Sequence, residues 1–124
     1  MSHTYEEYPE ENLIELSVDG HVGREEFEAI APRMEAFIAD RGTIRLVEII
    51  CDFKGFDPSL LWDGLQFDLR NIRHISHCAV VSDKGSGWLG PIARLAGAAL
   101  TTRIETFPIE RLDEARAWIR DPDG

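Results

Sequence analysis

Thr43-Ile44-Arg45-Leu46-Val47-Glu48-Ile49-Ile50-Cys51-Asp52-Phe53 is the longest run of β-branched and aliphatic residues in the chain, and it lies near the middle. Read as a strand, it is apolar on both alternating faces. Val47, Ile49, Cys51 and Phe53 line one face; Ile44, Leu46 and Ile50 line the other. A strand apolar on both sides belongs inside a parallel sheet covered by helices. The flanking segments carry helical periodicity, so this run is expected to be a central strand of an α/β domain.

Working back from it, Arg24 to Arg41 places Phe27, Ile30, Ala31, Met34, Phe37 and Ile38 at the spacing of an amphipathic helix. Gly23 and Glu26 hold the positions of a capping box, with Gly in place of Ser or Thr. Pro32 is expected to kink or split this helix, because it removes a backbone donor. Gly42 is the expected left-handed stop. Leu13 to Asp19 alternates cleanly and reads as a half-buried strand closed by Gly20. Residues 4–8 give a weak edge strand, within a peripheral N-terminal segment of residues 1–11.

Working forward, Asp57 followed by Pro58 is a helix start. Leu61, Leu65, Leu69 and Ile72 form the core stripe of that second helix, with Leu60, Trp62 and Phe67 off it. His77 to Ser82 reads as a short buried strand. A third helix spans roughly residues 88–100, Thr102 to Phe107 is the last strand, and Pro108 opens a final helix over Glu110 to Arg120. Regular strand–helix alternation predicts one α/β domain of residues 1–124. Its sheet has four to five mostly parallel strands built from successive right-handed β–α turns, with helices covering it.

At 124 residues there is room for one core. Twenty-three acidic residues against 13 basic give a net charge of −10. That balance repels phosphate backbones and argues against a nucleic-acid partner. No apolar span approaches transmembrane length, and Met1-Ser2-His3-Thr4-Tyr5-Glu6-Glu7 has neither the basic nor the apolar part of a signal peptide. Cys51 and Cys78 fall in predicted strands and read as reduced thiols of a cytoplasmic protein. Any membrane contact is expected to be peripheral, at the inner surface.

Several segments, taken in order, carry a resemblance. Val18-Asp19-Gly20 leads into Glu26-Phe27, and Asp52-Phe53-Lys54-Gly55-Phe56 leaves the central strand ahead of Leu61-Trp62. Ala79-Val80-Val81-Ser82-Asp83-Lys84 is followed by Trp88, then Phe107-Pro108 and Ala115-Arg116-Ala117-Trp118-Ile119. Over about residues 12–120 this pattern resembles the bacterial SpoIIAA-like family. That family is related in fold to the STAS anti-sigma-factor antagonists and, more remotely, to CRAL-TRIO lipid-transfer domains. The resemblance implies a superhelix of β–α turns, a homodimer, and association with membranes or non-polar ligands. STAS proteins of the stricter group carry a phosphorylatable Ser in Asp-Ser-x-Gly. Here the region reads Phe56-Asp57-Pro58-Ser59-Leu60-Leu61, the Gly is absent, and Ser59 reads as a plain first-turn residue, so the phospho-switch is not carried over.

Other constellations have plainer explanations. Gly85-Ser86-Gly87-Trp88-Leu89-Gly90 fits G-x-G-x-x-G. Yet Trp88 is bulky where a pyrophosphate should approach, and Pro91 follows at once, so no dinucleotide cofactor is expected. His74 and His77 lack the further ligands a zinc site needs. Glu48 is read as an ion-pair partner of Arg45 or of an arginine on a covering helix. No arrangement of nucleophile and base can be assembled, so no enzyme is expected. What remains is an apolar surplus: Leu60, Trp62 and Phe67 on the second helix, and Trp88, Leu89 and Ile92 at the start of the third. Their expected role is to bind an apolar or lipid-like ligand between those helices. Packing inside one chain, burial in a dimer and insertion at a membrane surface explain the same residues. The alternative function is a STAS-type interaction domain that binds a protein partner.

Overall fold

The computed structural model describes residues 2–21, 23–52, 54, 58–59, 66–67, 70–83 and 102–124. The central run forms β3 (Ile44–Cys51) of a five-stranded sheet in the order β1-β2-β3-β4-β5. The other strands are β1 (Ser2–Tyr8), β2 (Leu13–Asp19), β4 (Ile75–Ser82) and β5 (Arg103–Pro108). Two helices are described, α1 (Arg24–Arg41) and α2 (Leu112–Arg120). The fold is an α/β domain with a mixed sheet: β1 runs antiparallel to β2, and the other three pairings are parallel.

Both faces of β3 are covered as its pattern requires. Ile44 and Leu46 join Ile14, Leu16, Cys78 and Val80 beneath Met34, Phe37 and Ile38 of α1. Val47 and Ile49 join Leu13, Ala79 and Val81 beneath Ala115 and Ile119 of α2. Cys51 and Cys78 lie on opposite faces and are not joined in a disulfide.

Several expectations change. The N-terminal strand is longer than the weak 4–8 segment: all seven residues of β1 pair with β2, from Ser2 opposite Asp19 to Tyr8 opposite Leu13. Pro9 opens a 3-10 turn, and Asn12 at φ 49° reverses the chain. Pro32 does not split its helix, since α1 is continuous over 18 residues. Pro32 and Glu28 are both exposed, so water can take the carbonyl that Pro32 cannot bond. Gly42 does stop α1 at positive φ, but its φ of 85° and ψ of −92° lie outside the left-handed helical well. β4 starts two residues before the expected His77. The final helix is preceded by a 3-10 turn at Ile109–Arg111. The Asp57 helix start and the predicted helix over 88–100 fall outside the described residues.

One irregularity sets the geometry of the α2 side. Ile44 opposes Ile75, but Arg45 opposes His77, so the pairing of β3 with β4 slips there and Ser76 is the extra residue. A bulge of this kind re-aims the side chains beyond it. It explains how Ile75 and Cys78, three apart, both face α1.

Candidate functional site

On the α1 face, Gln66, Phe67, Arg70 and Asn71 are helical and dock against α1. Asn71, only 6% exposed, is the staple: its Nδ2 donates to the Phe67 carbonyl at 2.9 Å and to Glu35 Oε2 at 3.1 Å. Arg70 Nε donates to the same Glu35 oxygen at 2.9 Å. Those bonds hold the Glu35 carboxyl below its ordinary range, Arg70 contributing most, with burial opposing. So fixed, the half-buried Phe67 ring meets Phe27 edge-to-face, centroids 5.8 Å apart.

Between these elements lies an open groove of about 270 Å³. Phe27, Ala31, Pro32 and Phe67 give it an apolar lining, and Glu28, Glu35, Gln66 and Arg70 a polar rim. Pockets that enclose a drug-sized ligand run from ~300 Å³ upward. This groove is smaller than that and open to solvent. At the start of α1, Arg24 Nη2 donates to the Ser59 carbonyl at 3.0 Å and to its hydroxyl at 3.1 Å. Ser59 is exposed.

At the carboxyl ends of the strands, where open α/β sheets usually bind ligands, the chain knits to itself. The Gly20 N–H donates to the Cys51 carbonyl, and the Lys54 N–H to the Gly20 carbonyl. Asp52, at φ 47°, donates its N–H to Asp83 Oδ2 at 2.9 Å. Burial, then Asp83 and Asp19, push the Cys51 thiol up, which makes it a poor nucleophile.

At the amino ends is a larger depression of about 510 Å³, whose lining includes Glu11, Arg45, Ser76, Ile119 and Arg120. Much of that lining is engaged within the fold. Arg45 Nη1 donates to the carbonyls of Ile119 and Arg120 at 2.9 and 3.1 Å, and Arg120 Nε donates to Glu11 at 2.7 Å.

Of the sequence-predicted ligand residues, Phe67 lies in the α1 groove, whereas Leu60, Trp62, Trp88, Leu89 and Ile92 fall outside the described residues. So does the Gly85–Gly90 segment. Of the two partners expected for Glu48, Arg45 is not one. The two side chains project to opposite faces of β3, and Arg45 instead caps α2. His74 ends a 3-10 turn while His77 lies in β4, so they do not form a helical pair. Among the described residues no group of three His, Cys, Asp or Glu side chains is placed to hold a metal ion. Apart from Phe67, none of the groove residues is a site residue on the sequence reading, Phe27, Glu35 and Arg70 among them. Phe27 was assigned to the α1 core stripe, and nothing local ties Glu35 to Arg70 across 35 positions.

The β–α winding, with α1 on one face of the sheet and α2 on the other, defines the class. The chain belongs to the SpoIIAA-like family, whose model matches residues 13–120. Among solved structures it is similar to an uncharacterized protein of the DUF3478 family with a SpoIIAA-like fold from Shewanella loihica PV-4. The TM-score is 0.71 at 19% identity, covering 95% of this chain and 92% of that one. At that identity the likeness speaks for the fold. No curated protein matches the chain.

Proposed function

We propose that this protein is a non-enzymatic binding module that takes an apolar or lipid-like molecule against the α1 face. The carrying observation is Phe67, kept half-buried by the Asn71 staple, with its ring against Phe27 at the lining of an open groove. The polar rim of Glu28, Glu35 and Arg70 suits a ligand with an apolar body and a polar end. Leu60, Trp62, Trp88, Leu89 and Ile92 are proposed to extend the apolar surface toward the same ligand. Among the described residues no helix is long and apolar enough to cross a membrane. Peripheral contact with a bilayer and a homodimer remain part of this proposal through the family resemblance.

Native mass spectrometry of gently purified protein, with solvent extraction and liposome flotation, tests the reading. An apolar molecule should co-purify and be lost from Phe67→Ala. Protein that carries nothing and ignores liposomes would sink the idea.

A second reading has its own observation. Arg24 grips both oxygens of the exposed Ser59, giving a rigid polar surface at the start of α1 that a protein partner could recognise. Under this STAS-type reading, Arg24→Ala should abolish capture of a stoichiometric protein partner from the host, while Phe67→Ala should not.

A further inference from the structure

We propose that the row Arg45–His77–Arg103, beneath the C-terminal end of α2, is a proton-operated latch: neutral His77 keeps α2 seated on the sheet, and protonated His77 loosens it. The row is built by register. Arg45 of β3 pairs with His77 of β4, which pairs with Arg103 of β5. Strands lie ~4.8 Å apart, so one guanidinium-bearing residue flanks His77 on each side. The Ser76 bulge is what puts it there. Without that extra residue, Ser76 would oppose Arg45, and His77 would face α1.

All three members of the row hold α2. Arg45 caps its last carbonyls, complementing the negative end of the helix dipole. Arg103 lies over the Trp118 ring at 5.7 Å and pairs with Asp123 at 3.1 Å. The His77 ring meets Trp118 edge-on at 5.9 Å. Among the described residues, the charged groups facing His77 are thus Arg45 from β3, Arg103 from β5 and Asp123 from the segment after α2. Asp123 is 88% exposed and already paired with Arg103, so it offsets the two cations weakly. The Ser76 hydroxyl lies 2.8 Å from Nδ1 and can bond either protonation state, so it does not gate the change.

Burial first, then Arg45 and Arg103, hold the imidazole below its ordinary range, against Asp123. Lifting α2 removes the Trp118 cover, and with it the burial that does most to lower the imidazole, so His77 moves up toward ~6.5 while Arg45 and Arg103 stay beside it in the sheet. The seated form is therefore fully favoured above that value. It loses ground as pH falls below ~6.5, until the lower value of the seated imidazole is passed. Each unit between the two values changes the ratio of open to seated forms ~10-fold. Opening would uncover Leu13, Val47, Ile49, Ala79 and Val81, an apolar sheet face that neutral pH keeps covered.

Hydrogen exchange of the intact chain between pH 7.5 and 5.0, corrected for intrinsic rates, tests the latch. The expected result is a several-fold or larger rise in opening for residues 112–120, with residues 24–41 unchanged. His77→Gln should flatten that response, and Arg103→Gln should reduce it. An NMR titration should place the wild-type imidazole below ~6.5 and move it upward in Arg103→Gln; this decides the matter even if His77→Gln does not fold. A pH response kept in His77→Gln, equal loss of protection in both helices, or an imidazole titrating at or above the ordinary value would each overturn the proposal.

Discussion

The two faces of the sheet hold their helices by different means. On one face, α1 lays 18 residues along the strands and buries Ala31, Met34, Phe37 and Ile38. On the other, α2 has nine residues and buries only Ala115 and Ile119. The shorter helix is tied by charge at its margins. Arg116 makes a bidentate pair with Glu15, both bonds at 2.9 Å, and Arg120 pairs with Glu11 while Arg45 caps the last turn. Apolar burial responds little to pH or to the screening of charge, whereas ion pairs and dipole caps are sensitive to both. The α1 face thus depends mainly on apolar burial, and the α2 face depends more on solution chemistry.

The sharpest way to break this contrast is Phe37→Ala. Emptying this buried aromatic site should cost about 3–5 kcal/mol in urea unfolding, with little dependence on salt. Glu15→Ala should come next. Its carboxylate is 15% exposed but its Arg116 partner is 40% exposed, so the cost should fall between the ~1 kcal/mol of a surface pair and the ~3 kcal/mol of a charge-assisted bond. That cost should shrink in 1 M salt, and a salt-independent loss would contradict the contrast. Arg45→Met should cost about 1 kcal/mol, seen first as faster exchange in the last turn of α2. Smallest is Glu35→Gln on the α1 side, at about 0.5 kcal/mol, because Glu35 and Arg70 are both partly exposed. The Glu35 carboxyl is lowered in the fold, so its contribution is present above ~4.3 and is lost as pH falls through its folded value. His77 begins to lose its contribution near ~6.5. Acid should therefore loosen α2 before it touches the α1 tie, and thermal melts at stepped pH would show the order.

Much of this was legible in the residues. The doubly apolar pattern of Ile44 to Cys51 required cover on both sides, and the two buried clusters divide that strand by odd and even position as read. The α1 stripe and the β2 alternation were equally plain, because a local period reports a local environment. What escaped were non-local or register effects. The Ser76 slip leaves one trace, two α1-facing residues at an odd spacing, and it acquires meaning only once a neighbouring strand is in place. Arg45 and Glu48 could have been separated by parity alone, since residues three apart on a strand face opposite ways. In the candidate site, the surplus aromatic character of Phe67 was visible. Its ring partner Phe27, and the Glu35 that anchors the Asn71 staple, were not, because the helix contact that selects them is tertiary.

β1 has a consequence for handling the protein at high concentration. Among the described residues it pairs only with β2, and adjacent Glu6 and Glu7 are exposed, each accepting a tyrosine hydroxyl, Tyr8 and Tyr5 respectively. Successive strand positions point opposite ways, so a carboxylate guards each side of that rim. While both are ionised, a second sheet cannot zip on without facing like charges. Neutralising them in strong acid should remove the deterrent, and cloudiness in a concentrated sample would be the visible sign.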